Sequence, residues 1–320
     1  MSVEIIPTTD RAAWLRLRSR DVTASTVGAL FDGHDGATLH PYLTRLGLWM
    51  LKTGRAPDSA ADDGAIRRGR VLEVAAVEYL RELRPDWRIT YSARENTYYR
   101  DPDARLGATP DVLVECPQRG RGVVQIKSVE ASKFRRDWLD SDGVAEVPLW
   151  IALQASVEAH LTGAEWAAVC PLVVSYDLEM PIIDVPLLPG VMAAVKARVA
   201  EFWGDVADDR EPVADNARDG SLLDRIYAVG DPNNAVDLRA LMPRLDEMLA
   251  ARAAASEDRA RAVARMTEID TAVKAALGAA ETGFIGDGRS ITWRTHRRGH
   301  GRDAVTFRQL RYPPVREDRR

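Results

Sequence analysis

Residues Leu106 to Val129, LGATPDVLVECPQRGRGVVQIKSV, constrain the fold more than any other stretch of this chain. Two short β-type runs, Asp111-Val112-Leu113-Val114 and Val123-Val124-Gln125-Ile126-Lys127, flank a polar, cationic turn from Pro117 to Gly122. Such runs, separated by a Gly- and Pro-containing turn, read as a β-hairpin. Side chains alternate along a strand, so Gln125 and Lys127 share one face. The antiparallel return brings Asp111 near both, which predicts an oxygen-rich pocket with one positive charge. That combination suits a hard divalent ion and a phosphate. An unpaired lysine on an apolar strand is costly to bury, so Gln125 and Lys127 are harder to dismiss than isolated polar residues.

The rest of the chain supplies helices around this hairpin. Residues 10–31 read as a helix, a loop and a second helix start, with Thr23 or Ser25 as a helix cap. Pro41 to Thr53 reads as a short amphipathic helix, and Pro57 to Gly64 as a polar loop. Ala65 to Arg84 carries Ile66, Leu72, Ala76, Tyr79 and Leu80 at the spacing of one buried stripe. Ile89 to Tyr99 alternates as a strand. Ser132 to Leu139 and Pro148 to Gly163 read as helices, the second with Pro near its start and Gly at its end. Trp166 to Val174 and Met180 to Val185 read as strands, and Leu188 to Val206 as a closing helix. These elements predict an α/β domain over residues 1–207, a central mixed β-sheet flanked by helices. Residues 208–235, rich in Asp, Asn, Gly and Pro, read as a linker or extended loop. Residues 236–320 read as a C-terminal helical pair, antiparallel and broken near Ala253–Asp258, with one long helix as the alternative. A small basic β-hairpin over residues 284–312 follows it.

Charge is unevenly spread. The net charge is −4, yet from Arg289 onward ten arginines stand against Asp303, Glu317 and Asp318, leaving that tail at +7 and the remainder at −11. An acidic body with local basic patches is compatible with DNA, particularly where the acids hold metal. No apolar run approaches the roughly 20 residues that span a bilayer. The opening MSVEIIPTTDRAAW lacks the basic-then-apolar order of a secretory signal. With only Cys116 and Cys170 there is neither a disulfide framework nor a zinc site, and a cytoplasmic, reducing location is expected. The five histidines show no metal-ligand spacing and read as incidental. Trp138, Trp150 and Trp166 read as core.

The polar residues now fall into an order: Glu73 in GRVLEVAAVEYL, Asp111 in ATPDVLV, Gln125 and Lys127 in VVQIKSV, and Gln154 in WIALQASVEAHLTG. A helix with an acid, a hairpin with Asp and (Gln)-X-Lys, and a helix with Gln resemble the PD-(D/E)XK nuclease superfamily. Within it the chain resembles the lambda-exonuclease/YqaJ-like viral recombinase family, over roughly Trp14 to Trp203, including the N-terminal WLRLRSRDVTASTV. The resemblance implies a restriction-endonuclease-like core. It also implies a Mg²⁺-dependent exonuclease, with Mn²⁺ able to substitute, that degrades one strand of linear duplex DNA 5′ to 3′ for phage-type homologous recombination. Asp111 is then the principal metal ligand, joined by the Gln125 side-chain oxygen, the Ile126 carbonyl and Glu73, directly or through water. Lys127 stabilises charge on the phosphate or orients the attacking water. Gln154 holds that water or a neighbouring phosphate. Arg18 and Ser25 resemble a 5′-phosphate clamp, with Lys133 a further candidate. The implied partners are double-stranded DNA ends, further copies of the chain in a ring such as a trimer, and a single-strand annealing protein.

One position departs from the family pattern, whose usual residue at 125 is Glu. An amide oxygen still ligates Mg²⁺, but the site loses a negative charge. Two other readings therefore stand beside the exonuclease: a catalytically weakened DNA-end-binding or scaffold protein, and an endonuclease of the same superfamily.

Overall fold

The computed structural model describes residues 3–8, 10–34, 36–56, 64–95, 97–299 and 305–314. Most of the loop expected from Pro57 to Gly64, His300, and Arg302, Arg316, Arg319 and Arg320 of the basic tail lie outside the described residues. The chain divides into two units, Met1–Gly230 and Asp231–Arg320.

The first unit begins with β1 (Glu4–Pro7), α1 (Arg11–Arg20), β2 (Val22–Thr23), a 3-10 turn (Val27–Leu30), α2 (Arg45–Lys52) and α3 (Gly64–Leu83). Next come β3 (Arg88–Thr90), α4 (Ser92–Glu95), β4 (Thr97–Asp101) and β5 (Leu106–Ala108). The hairpin strands are β6 (Val112–Cys116) and β7 (Gly120–Glu130), followed by α5 (Ala131–Asp137) and α6 (Leu149–Thr162). The unit ends with β8 (Trp166–Val174), β9 (Leu178–Glu179), β10 (Ile183–Val185), α7 (Val191–Ala207) and α8 (Gly220–Ile226).

The expected hairpin forms, with a turn tighter than the sequence suggested. Cys116 pairs with Gly120, so Arg121 and Gly122 belong to β7 rather than to the turn. Gly120 adopts φ +71°, where glycine avoids the cost of a left-handed side-chain-bearing residue. The region expected as one strand from Ile89 to Tyr99 is split into β3 and β4 by α4.

Two sheets share the Leu106–Val129 stretch. The central sheet runs β10-β8-β7-β6-β3, with β9 beside β8. It is mixed: β7 and β8 are parallel and the other pairs antiparallel. A parallel pair needs a long crossover, and α5 with α6 provides it. Val112, Val124, Ile126, Ala168, Cys170 and Leu172 pack with Ala76, Val77 and Leu80 of α3. Val123, Val129, Ala167, Val169 and Val173 pack with Phe134 of α5 and Ile151, Ala155 and Ala159 of α6. The alternation of β7 and β8 between these two clusters is the signature of strands covered on both faces. The smaller sheet, β1-β4-β5-β2, joins β2 to β5 in parallel. Its anchor is buried Asp21, which accepts two hydrogen bonds from Arg100, at 2.9 and 3.0 Å, and one from the Tyr98 hydroxyl at 3.1 Å.

Three expectations for the later chain need correction. Residues 208–226 are not a linker: Leu222 on α8 is buried in the core with Leu46 and Trp49, and buried Asp219 accepts from the Thr44 hydroxyl at 2.6 Å. Among its described residues the second unit carries no antiparallel helical pair. A short α9 (Leu238–Leu241) precedes a continuous 33-residue α10 (Leu245–Leu277). The suspected break at Ala253–Asp258 contains neither Gly nor Pro and is rich in alanine, the strongest helix former. Arg261 pairs back to Glu257 and Asp258 across that point. The basic element is a three-stranded antiparallel sheet, β11 (Thr282–Phe284), β12 (Ser290–Arg298) and β13 (Val305–Arg311), one strand more than the expected hairpin. Arg308 lies 3.6 Å over the Trp293 ring and donates to the Gly278 and Ala280 carbonyls after α10.

At Gly107 a methyl group would sit 2.0 Å from the Tyr98 hydroxyl oxygen and 2.4 Å from its ring, forcing Tyr98 off Asp21. Gly107→Ala is expected to lower the unfolding free energy by about 1–3 kcal/mol. Urea denaturation checks this, and unchanged stability would contradict the packing.

Candidate functional site

Strand pairing creates the site. β6 pairs with β7 only as far as Val112 opposite Val124, whereas β7 continues to Glu130 with β8 on its other side. From Gln125 onward one edge of β7 is therefore free of a strand partner. The Ile126 N–H on that edge donates to Asp111 Oδ2 at 2.9 Å, and the Ile126 carbonyl accepts from Gln125 Nε2 at 3.3 Å. Asp111, directly preceding β6, thus caps the edge that its own strand leaves open.

Helices close the cleft. α3 brings Glu73 and Arg70, and α6 brings Gln154 and Glu158. These line one cleft with Asp111, Gln125, Ile126 and Lys127. Arg18 from α1 and Ser25 after β2 line it as well, along with Trp14. The structure therefore brings together Glu73, Asp111, Gln125, Ile126, Lys127, Gln154, Arg18 and Ser25. Lys133 is placed outside the cleft lining, on α5, where its ammonium donates to the Tyr42 hydroxyl at 2.8 Å.

A chain of hydrogen bonds runs through the buried centre. Lys127 Nζ donates to Gln154 Oε1 at 3.0 Å, Gln154 Nε2 to Gln125 Oε1 at 2.8 Å, and Gln125 Nε2 to Asp111 Oδ2. Gln154 Nε2 also donates to Glu158 Oε1 at 2.9 Å. Gln125, Gln154 and Glu158 are only 3%, 5% and 1% exposed, so these bonds form in a low-dielectric environment where each counts for more. Glu73 Oε1 accepts from the Tyr91 hydroxyl at 2.9 Å.

The acids repel one another. Burial, and then the charge of Glu73, push the Asp111 carboxyl up to about 7, against the pull of Lys127, the Ile126 N–H and Gln125. Burial, then Asp111, push Glu158 up to about 8. Burial raises Glu73 too, opposed by the Tyr91 bond and by Lys127. Three carboxyls facing one cleft with a single lysine at its centre resist joint ionisation until more positive charge arrives.

At the cleft's other end Arg18 Nη2 donates to Ser25 Oγ at 3.3 Å, and its guanidinium lies 4.3 Å over the Trp14 ring. Trp14 is itself fixed by a 2.9 Å bond from Nε1 to Thr109 Oγ1. His40, read from the sequence as incidental, has a structural role. Its Nδ1 accepts from the Tyr42 N–H at 3.2 Å, which leaves Nε2 to donate to the Ser25 carbonyl at 3.1 Å. Burial pushes His40 down to about 4, so it stays neutral and keeps this tautomer near neutral pH.

The donors are hard oxygens, the set preferred by Mg²⁺ and similar ions. Buried Glu158 Oε2 has no hydrogen-bond partner among the described residues, which fits a site completed by a cation. As the side chains stand, no three His, Cys, Asp or Glu residues among those described are set to hold a metal ion. The Gln125 amide nitrogen faces Asp111 and the Ile126 carbonyl, the acceptors a cation would use. Half a turn of that amide presents Oε1 instead, at the cost of the bond that Oε1 now accepts from Gln154 Nε2.

Sequence reasoning missed Glu158, Tyr91, Trp14 and His40 as site residues. Glu158 had a signal: it lies one turn after Gln154 on a helix whose other residues are mostly apolar. Polar pairs at that spacing share a face.

Residues 13–165 match the YqaJ-like viral recombinase domain, a span that includes every cleft residue named above. No curated protein matches the chain. Among solved structures, the alkaline exonuclease LHK-Exo from Laribacter hongkongensis is 18% identical with a TM-score of 0.46, covering 62% of this chain and 94% of its own. LHK-Exo in complex with dAMP is 17% identical at the same TM-score, covering 68% and 98%. Likenesses this distant assign no activity.

The raised carboxyls have a stability consequence. Between about pH 4, where an unfolded acid titrates, and the folded values of about 7 and 8, the folded chain holds protons that the unfolded chain has released. Stability from these groups therefore falls as pH rises through that window. In EDTA, the Asp111→Asn/Glu158→Gln double variant is expected to gain stability relative to wild type from about pH 4 to about pH 8. Chemical denaturation at several pH values measures this, and a pH-independent difference would contradict the electrostatic account.

Proposed function

We propose, from the match of residues 13–165 to the YqaJ-like viral recombinase domain, that the chain is a Mg²⁺-dependent deoxyribonuclease. It degrades one strand of linear duplex DNA from its end, 5′ to 3′, in homologous recombination. The observation that carries this reading is the conjunction on the free edge of β7: Asp111, the Ile126 carbonyl, Gln125 and Lys127 meet in one cleft that also receives Gln154.

When bound, the cation supplies Lewis-acid stabilisation of phosphoryl oxygens and makes water a stronger nucleophile. Asp111, Glu73, the Ile126 carbonyl and a turned Gln125 amide hold it. Lys127, tethered by Gln154 at 3.0 Å, delivers positive charge to the phosphate as negative charge grows there. The Gln154 amide keeps the lysine from collapsing onto Asp111 and offers a polar site for the attacking water. Arg18, stiffened by Trp14, and the Ser25 hydroxyl receive the terminal 5′-phosphate, where a planar guanidinium can donate twice. On the same reading the chain works on duplex ends as a homo-oligomer, with a single-strand annealing protein as its partner.

A second reading, a DNA-end-binding scaffold, is favoured by one observation: Gln125 presents N–H rather than oxygen to Asp111. Incubation with 5′-phosphorylated linear duplex and closed circular DNA, in Mg²⁺, Mn²⁺ or EDTA, separates the readings. Mg²⁺-dependent loss of the linear form alone is expected. Lys127→Ala is expected to slow it by about 100-fold or more, comparable to loss of one charge-stabilising donor. Cutting of the circle would instead indicate an endonuclease, and retention of linear DNA without degradation a scaffold.

A further inference from the structure

Among the described residues lining the cleft, Glu158 is the one acid that the proposed mechanism leaves without a task. It lies on α6, one turn beyond Gln154, and is 1% exposed. Its Oε1 accepts from Gln154 Nε2 at 2.9 Å, while Oε2 is buried with no hydrogen-bond partner among the described residues. Protonation does not complete it, because an O–H at that atom would then lack an acceptor. Either ionisation state leaves a buried polar atom unmatched, which proteins ordinarily avoid. Protein atoms alone therefore do not finish this group.

The charge balance of the cleft points the same way. Position 125 is a neutral amide, and the positive charge of Lys127, with Arg18 and Arg70 in the same lining, outweighs the two acids, Asp111 and Glu73, assigned to a dication. Glu158 lines the same cleft and brings a third carboxylate from the opposite wall. We propose that Glu158 belongs to the cation-holding set and supplies the negative charge that Gln125 lacks, an exchange of acid and amide between β7 and α6. The proposal rests on the nuclease reading of the cleft.

The alternative, that Glu158 only positions Gln154, is separable by chemistry. Glu158→Gln keeps an oxygen to accept from Gln154 and removes only the charge. Calorimetric titration of Mn²⁺ into the full-length protein, without DNA, reads the difference, with thermal melts confirming that each variant is folded. Glu158→Gln is expected to weaken Mn²⁺ binding by about tenfold or more. Gln125→Glu/Glu158→Gln, which moves the acid to the other wall, is expected to restore it. Asp111→Asn is the control for the cleft itself. If Asp111→Asn loses Mn²⁺ while Glu158→Gln binds as wild type does, the assignment of Glu158 is overturned and the nuclease reading stands. Loss in Glu158→Gln without recovery in the double variant also overturns the exchange. If Asp111→Asn binds Mn²⁺ unchanged, the cleft is not the cation site and both readings fall.

Discussion

The site depends on a mismatch in strand length. β7 outruns β6, so that past Val112 opposite Val124 its backbone faces Asp111 instead of another strand. An unpaired strand edge is ordinarily a liability that a fold must cover. Here the edge is covered by one carboxylate, which takes the Ile126 N–H, while the Ile126 carbonyl accepts from Gln125 Nε2 at 3.3 Å. The same stretch forms β5 upstream, in the sheet that carries β2, so the Arg18–Ser25 end of the cleft is tied to the Asp111 end through a few residues of backbone. Asp21, held by Arg100 and Tyr98, fixes the start of β2 and with it that geometry.

Electrostatics decides what this edge can do. Lys127, Gln154, Gln125 and Asp111 form a continuous polarised path in which each donor points toward the acid. The path satisfies the lysine and the aspartate but leaves repulsion among Asp111, Glu73 and Glu158, visible in their raised affinity for protons. A proton and a divalent cation are alternative answers to that repulsion, and they compete. On the proposed reading, the Gln125 amide separates the two states. Donating, it quiets Asp111; turned, it offers oxygen beside Asp111 and Ile126.

Much of this was legible in the sequence because the period of apolar residues reports which face is buried. The helix from Ala65 and the helix ending at Gly163 fall within a residue of α3 and α6, the second hairpin strand lies inside β7 but stops three residues short of each of its ends, and Trp166–Val174 coincides with β8. What escaped was set by tertiary packing. Pairing length is not encoded in propensity, so the free edge of β7 could not be read from its residues. Residues 208–226 look like a linker by composition, yet Leu222 and Asp219 dock into the core. Glu158 looks like a surface acid until α6 is seen to be buried nearly all round. The spacing of α10 suited both a long helix and a broken pair, and alanine content, not periodicity, favours the continuous form. Among the described residues no helix is long and apolar enough to cross a membrane.

The central claim is that Asp111 and the free edge of β7 hold a divalent cation once Gln125 turns its amide. Anomalous diffraction from Mn²⁺-loaded crystals tests it directly. The account expects a single strong peak about 2.1 Å from an Asp111 carboxylate oxygen and the Ile126 carbonyl, with Gln125 Oε1 facing the ion. A peak elsewhere, or an intact hydrogen bond from the Gln125 amide to Asp111 beside the bound ion, would contradict it.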